Sequence, residues 1–233
     1  MSWNQPSFVA TDARDTRVSA FLGKVYGWMF LGLLVTTGTA FVVASSPLLI
    51  ETLILNRILF WGLVFGQLGL VFWLSAKVES MSPTTAALLF MIYSAAVGIT
   101  TSVILLVYTA SSLVSTFMVT AGMFGALALF GTFTKRSLAG VGQFMFMGLI
   151  GLILAMIVNI FWANDALSFV ISVIGVLVFT GLTAWDAQRL KEMAVALPDG
   201  RVGAYAVVGA LSLYLDFINL FFFLLRLIGG RRD

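Results

Sequence analysis

Long apolar runs separated by short polar breaks dominate the pattern of this 233-residue chain. A helix that spans a membrane needs about 20 mainly apolar residues, and seven runs reach roughly that length. The breaks carry charges, prolines and clusters of small polar residues, which are typical of turns. The predicted spans are residues 21–44, 57–75, 84–107, 112–133, 140–162, 166–188 and 204–227.

The break between the third and fourth spans is the least marked. Residues 110–112 carry no charge, but the combined run 84–133 is far too long for one span, so we place a turn there. Residues 1–20 are polar and mixed in charge and form a predicted N-terminal tail. We therefore expect an all-α integral membrane protein, with residues 21–233 as a single seven-helix domain.

Composition agrees with a bilayer as the surrounding solvent. Hydrophobic residues make up 61% of the chain and charged residues 10%, whereas an average soluble domain carries roughly 25% charged residues. The chain has neither His nor Cys. Their absence excludes disulfides, thiolate and imidazole metal sites, and Ser-His-Asp or Cys nucleophiles. The basic residues flank apolar runs, so no nucleic-acid surface is predicted.

The distribution of Lys and Arg predicts a cytoplasmic N-terminus, because these residues concentrate on the cytoplasmic side of multi-pass proteins. With that orientation, nine of the 13 Lys and Arg residues are cytoplasmic. Seven full spans then place the C-terminus outside, where Arg226, Arg231 and Arg232 oppose the rule. A re-entrant seventh segment would return them to the inside; we predict seven full spans.

Two acidic residues lie within predicted spans, where an ionisable side chain is costly and indicates a functional site. Asp216 falls near the middle of the last span. Tyr205, Gly209, Ser212 and Asn219 share its helix face, at spacings of three and four residues. This polar and small stripe must face protein or water, so we expect the last helix to lie centrally. The alternative role for Asp216 is a buried acid that only sets packing specificity.

Asp186 lies toward the end of the sixth span, about one turn before Arg189 and Lys191. It is either an interface group paired with one of these cations or the partner of Asp216. The two acids flank the same predicted cytoplasmic loop, so they could meet. Two carboxylates in contact away from water share a proton, because they cannot easily both ionise. Such a pair would sense pH without His.

A carboxylate pair also supplies oxygen ligands for a hard cation. Ca²⁺ usually takes about 6–8 oxygens. Two Asp residues with carbonyls and waters would therefore bind it weakly and transiently. Weak binding suits conduction better than storage. No other cofactor is expected.

Four segments of the chain carry recognisable motifs: residues 104–109 (ILLVYT), 124–136 (FGAL through TKR), 183–188 (TAWDAQ) and above all 212–221 (SLYLDFINLF). Together they resemble the Bax inhibitor-1 family, also called the transmembrane Bax inhibitor motif family, and within it the bacterial members. The last segment is close to the family's signature for its final helix. The resemblance covers essentially the whole chain after residue 20.

The resemblance implies six helices surrounding a central C-terminal helix, in the bacterial inner membrane. It implies a pore closed by an Asp pair that matches Asp186 and Asp216, with Thr183 and the stripe residues as pore-lining support. The implied activity is a pH-sensitive Ca²⁺ leak. Eukaryotic relatives are linked to suppression of cell death, and bacterial relatives to control of a membrane protease.

One feature departs from the family pattern. Some bacterial relatives carry an Arg near the cytoplasmic end of the second helix, where it latches onto the acid pair. Here residues 72–77 (FWLSAK) offer only Lys77, whose alternative role is an interface anchor. Lys77 and Arg189 are therefore the candidate latch cations.

Three functions are compatible with these residues. The first is the Ca²⁺ leak channel gated by the Asp pair. The second is a non-transporting membrane regulator that binds and restrains a protease or another membrane protein. The third is a proton-coupled transporter of a small solute, against which stands the lack of an inverted repeat. An enzyme fits poorly, because bulky residues surround both acids.

Overall fold

The computed structural model describes residues 6–162, 164–198 and 201–232, with side chains from residue 14 onward. Within these ranges the chain is helical and has no strand, and seven helices are long and apolar enough to cross a membrane. The predicted seven-helix, all-α class is confirmed. The helices are α1 Pro6–Ala44, α2 Arg57–Lys77, α3 Pro83–Thr101, α4 Ala110–Phe133, α5 Ala139–Phe161, α6 Asp165–Ala196 and α7 Val202–Ile228.

Polar N-cap side chains start four of these helices, which explains why the turns lie where the polar breaks predicted them. Each cap accepts a hydrogen bond from a backbone N–H of the first turn; the caps are Asn56, Ser82, Thr109 and Asn164. A short helix, Val103–Val107, continues α3. Thr109 follows it, so the weak break is real and divides the 84–133 run into two spans.

The helix ends differ from prediction in two places. The α1 helix begins at Pro6, so most of the predicted polar tail, residues 1–20, continues the first helix. The α6 helix runs to Ala196, about two turns beyond its predicted end at residue 188. Both extensions contain charged residues. A span predicted from the length of an apolar run ends where charged residues begin, although the helix itself continues.

The last helix is the most buried of the seven. In its most apolar stretch 61% of residues are buried, against 6% in α2 and in α5. It packs against α1, α3, α4 and α6, while α2 packs mainly on α3 and α5 mainly on α6. A surround of all six helices is therefore not confirmed. An acid-bearing helix must avoid lipid, whereas α2 and α5 are apolar enough to face it.

The α7 helix runs the full length of the bundle. At its start, Arg201 Nη1 donates to the Glu79 carbonyl oxygen at 3.1 Å, in the α2–α3 turn. Beyond its end, the Gly230 carbonyl oxygen accepts from the Thr109 N–H at 3.1 Å, in the α3–α4 turn. Because α3 joins these two turns, α7 crosses as α3 does. This course of α7 favours the predicted seven full spans over the re-entrant alternative.

The backbones of α4 and α6 touch at Gly131. A Cβ atom at this position would overlap the Ala184 carbonyl oxygen. Small residues at such crossings let membrane helices approach closely. At Gly125, one and a half turns earlier in α4, an added Cβ would meet nothing within 4 Å.

Reporter domains fused at the two termini are expected to report opposite faces of the membrane. The Arg17 guanidinium donates to the Leu197 carbonyl oxygen, so α1 and α7 start at the same end of the bundle. A reporter inserted in the 197–201 turn is the control and should match the N-terminal fusion. Termini on the same face would contradict a full crossing by α7.

Replacing Gly131 by Ala is expected to destabilise the protein by about 1–3 kcal/mol, because the new methyl group forces α4 and α6 apart. The measurement is unfolding of the purified protein in mild detergent by denaturant. Gly125→Ala on the same helix is the matched control and should change stability little. Equal stability of the two variants would show that the α4–α6 approach is not tight.

Candidate functional site

The two intramembrane acids lie on neighbouring antiparallel helices at similar depth. Asp216 lies 14 residues after the start of α7, and Asp186 lies 10 residues before the end of α6. These separations correspond to roughly 21 Å and roughly 15 Å from the turn that joins the helices. The helices pack along one another, and the two carboxyl groups interact electrostatically. The fold thus brings together residues that are 30 positions apart in sequence.

The Asp216 side chain is 5% exposed. Among the described residues, its Oδ2 atom is buried and accepts no hydrogen bond. An ionised carboxylate in such surroundings is costly unless a counter-charge meets it. Asp186 is only partly buried. The pair therefore joins a shielded oxygen in the bundle interior to a more accessible one.

Two of the predicted pore-lining side chains bond the backbone of their own helices. Thr183 Oγ1 donates to the Phe179 carbonyl oxygen at 2.7 Å, and Asn219 Nδ2 donates to the Leu215 carbonyl oxygen at 2.8 Å. Such bonds to the preceding turn are common for polar side chains in helices. Ser212 is partly buried, one turn before Asp216. In the described structure Thr183 and Asn219 thus bond their own helices and not the acid pair.

The remaining stripe residues lie toward the start of α7. Gly209 is buried, and a Cβ there would lie 2.5 Å from Leu190 Cδ2, so glycine allows α6 to approach. The Tyr205 hydroxyl lies 3.5 Å from Glu79 Oε1, at the end of the bundle. Tyr205 is 11 residues before Asp216, or roughly 16 Å along the helix.

Neither candidate latch cation bonds to an acid within the described ranges. Lys77 is exposed at the end of α2. Arg189 is exposed, and its guanidinium lies 5.6 Å from the centroid of the Trp185 ring. Arg189 does interact electrostatically with Asp186. It is therefore the cation that influences the pair, from the outside of α6.

Sequence reasoning missed a buried amide that fixes α6 beside Asp186. The Leu138 N–H donates to Gln188 Oε1 at 2.7 Å, and Gln188 Nε2 donates to the Arg136 carbonyl oxygen at 2.9 Å. Lys191 Nζ adds a bond of 2.7 Å to the Thr132 carbonyl oxygen. Gln188 thus holds the α4–α5 turn through both ends of its amide. Its position as a neutral polar residue at the end of a predicted span was the sequence signal that could have indicated this contact.

A second missed cluster fixes α7 beside Asp216. The Tyr214 hydroxyl lies 2.6 Å from Thr36 Oγ1, which donates to the Ser94 carbonyl oxygen at 2.9 Å. Either hydroxyl can donate in their bond; Tyr214 is the donor when Thr36 gives its one proton to the carbonyl oxygen of Ser94 or of Gly32. The Tyr214 ring also packs edge-to-face on Phe90, with centroids 5.6 Å apart. These contacts join α1, α3 and α7.

Phe217, the residue after Asp216, joins α7 to α4. Its ring packs edge-to-face on Phe117 and on Phe124 of α4, with centroids 5.5 Å apart in each pair. Aromatic pairs of this geometry contribute beyond the area that they bury. The acid therefore stands between two well-packed aromatic neighbours on its own helix, although its own Oδ2 has no protein partner.

The donor set favours weak cation binding. No group of three or more His, Cys, Asp or Glu side chains that could hold a metal is present among the described residues. Two carboxyl groups alone provide few of the oxygens that Ca²⁺ prefers. The arrangement can exchange a proton, and it can contact a passing cation, but it does not form a closed metal cage.

These features define a multi-pass membrane bundle whose last two helices carry an interacting acid pair. The chain belongs to the Bax inhibitor-1 family: the family described as "Inhibitor of apoptosis-promoting Bax1" matches residues 18–233. It is 48% identical over 218 residues to the inner membrane protein YbhL of Escherichia coli K12, covering 92% of this chain and 93% of YbhL. The protein is therefore a multi-pass inner membrane protein, as predicted.

More distant relatives cover nearly the same length. An uncharacterized protein of Borreliella burgdorferi is 41% identical over 215 residues, covering 91% of this chain and 93% of its own. The uncharacterized protein RP147 of Rickettsia prowazekii is 39% identical over 220 residues, covering 94% of this chain and 93% of RP147. The similarity thus extends across the whole transmembrane domain.

Replacing Gln188 by Leu is expected to destabilise the protein by about 1–3 kcal/mol, because it leaves the buried Leu138 N–H and the partly buried Arg136 carbonyl oxygen without their partner. Denaturant unfolding in detergent measures the effect. Gln143→Leu is the matched control, since Gln143 is exposed on α5 and bonds nothing in the described structure. If both variants unfold alike, Gln188 does not hold the α4–α5 turn.

Proposed function

We propose that the protein is a pH-sensitive cation leak channel, with Ca²⁺ as the expected ion and the Asp186/Asp216 pair as gate and transient cation site. The observation that carries this proposal is the buried Asp216 Oδ2, which has no protein partner in the described structure and lies beside a second acid. The membership of the chain in the Bax inhibitor-1 family supports it.

The first argument for a functional role of Asp216 is the free-energy cost of burying an ionisable side chain. Asn has nearly the same shape as Asp and could pack at the same position without a charge to bury. The neighbours Tyr214 and Phe217 already fix α7 through their own contacts. A carboxyl group without a hydrogen-bond partner adds nothing to these packing contacts, so its presence supports a role in proton or cation exchange.

Proton sharing is the second argument. Two interacting carboxyl groups away from water hold one proton between them, because both charges together are unfavourable. A cation that enters must displace this proton. Asp186 is the more accessible partner, and Arg189 lies on its outer side. Proton occupancy and cation occupancy of the pair are therefore linked.

The sign of the pH dependence separates two gating mechanisms. If protons and Ca²⁺ compete for the same oxygens, acid inhibits the leak. If the shared proton controls the packing of α6 against α7, acid promotes the leak, as the family resemblance implies. In the second mechanism the Gln188 contacts hold the α4–α5 turn against α6 while α7 moves.

Ca²⁺ influx into liposomes that contain the purified protein tests the proposal, measured across the physiological range of about pH 6 to 8. The wild type should show flux above empty liposomes and a clear pH dependence. Asp216→Asn should abolish most of that pH dependence. Asp165→Asn is the matched control, because Asp165 is an exposed acid in the first turn of the same α6 helix.

Other outcomes would favour the other two functions. No flux at any pH, from protein shown to be folded, contradicts the channel and favours a non-transporting regulator of a membrane protease or other membrane protein. Solute uptake that requires both a proton gradient and Asp216 favours a proton-coupled transporter. Unchanged pH dependence in Asp216→Asn would remove the acid pair from the gate.

A further inference from the structure

Beyond α7 the chain turns back and pairs with the turn between α3 and α4. We call residues 229–232 the C-terminal clasp. Tyr108 and Arg231 form an antiparallel bridge, in which the Arg232 N–H donates to the Val107 carbonyl oxygen at 2.9 Å. The Gly230 N–H donates to Ser112 Oγ at 2.8 Å. The clasp is therefore held by backbone bonds at the end of the bundle.

Two glycines make this close pairing feasible. A Cβ on Gly229 would lie 2.4 Å from the Leu225 carbonyl oxygen and 2.9 Å from Cδ1 of the Tyr108 ring, and a Cβ on Gly230 would lie 3.2 Å from Ser112 Oγ. Any side chain at Gly229 would have to shift both the last turn of α7, at the Leu225 carbonyl oxygen, and the Tyr108 ring. The glycines thus bring the next two residues against the α3–α4 turn.

The clasp presents arginines that have no acidic partner in the part of the chain that the structure describes. Arg231 and Arg232 are both exposed. Arg226, in the last turn of α7, is also exposed, and its guanidinium lies 5.9 Å from the centroid of the Phe223 ring. Three guanidinium groups therefore occupy one end of α7 and remain open to a ligand.

These arginines follow directly after the lipid-facing surface. Ile228 is 55% exposed at the end of α7, and Leu106 and Val107 are exposed at the end of the short helix that continues α3. In a membrane these side chains mark the edge of the hydrocarbon layer. The clasp, which comes immediately after Ile228 and pairs with Val107, therefore lies at the level of the lipid headgroups.

We propose that the clasp positions Arg231 and Arg232, together with Arg226, to bind the phosphate groups of anionic phospholipid headgroups. The planar guanidinium matches phosphate oxygens through paired hydrogen bonds. Because the backbone of the clasp is already ordered, less conformational entropy is lost on binding. This surface is independent of the acid pair and of the proposed leak.

Thermal unfolding of the full-length protein in neutral detergent tests the proposal. Added phosphatidylglycerol should raise the midpoint of thermal unfolding of the wild type by roughly 5 °C near saturation, relative to the same concentration of phosphatidylcholine. The Arg231→Gln/Arg232→Gln double variant should lose most of this shift. Arg57→Gln is the control: Arg57 is exposed at the start of α2, on the same end of the bundle, but outside the clasp.

A second variant tests the clasp separately from its charge. Gly229→Ala keeps all three arginines, but its methyl group crowds the Leu225 carbonyl oxygen and the Tyr108 ring and so displaces the clasp. The variant should therefore reduce the shift as well. Glycerol phosphate at the same concentration should produce no shift, because the site needs a headgroup held at the membrane surface. High salt should weaken the lipid effect.

Three results would overturn the proposal. A full shift in the double arginine variant would show that other groups bind the lipid. If Arg57→Gln reduces the midpoint shift as much as the double variant does, the lipid is attracted by surface charge in general and not by the clasp. A full shift in Gly229→Ala would show that the clasp has no part in binding.

Discussion

The cost of placing a carboxyl group in lipid determines much of this structure. Asp216 lies near the middle of α7, and its helix must therefore be shielded by protein. Four helices provide that shielding, which makes α7 the most buried helix of the bundle. The α2 and α5 helices carry no such residue, so they remain at the periphery with their apolar faces toward lipid.

The surroundings of the acid pair combine satisfied and unsatisfied polar groups. The Tyr214 and Gln188 side chains are buried and find their hydrogen-bond partners on other helices and turns. Such groups stabilise one packing arrangement, because breaking their bonds would leave buried polar atoms exposed to apolar surroundings. Asp216 Oδ2 is the contrast, since it lacks a partner within the described residues. This contrast supports the proposed role of the acid pair in proton or cation exchange.

Opposite ends of the bundle show different chemistry. At one end Arg201 and Tyr205 approach Glu79 in the α2–α3 turn, so charged and polar groups meet across a loop. At the other end the clasp is held by backbone bonds, and its arginines face outward. The positive-inside rule does not account for these arginines if the N-terminus is cytoplasmic. Lipid phosphate supplies a physical reason for them.

The sequence by itself determined the seven spans, the membrane environment and the two acids, because hydrophobic length and an intramembrane charge are local properties of the chain. Helix ends at Pro6 and Ala196 were less predictable, since charged residues extend a helix without extending its apolar run. Only the tertiary structure decided which helices surround α7, how Gln188 holds the α4–α5 turn, and that the chain after α7 pairs with Val107. Those contacts join residues far apart in sequence, and they depend on side-chain shape and on which backbone groups remain without partners once the helices have packed.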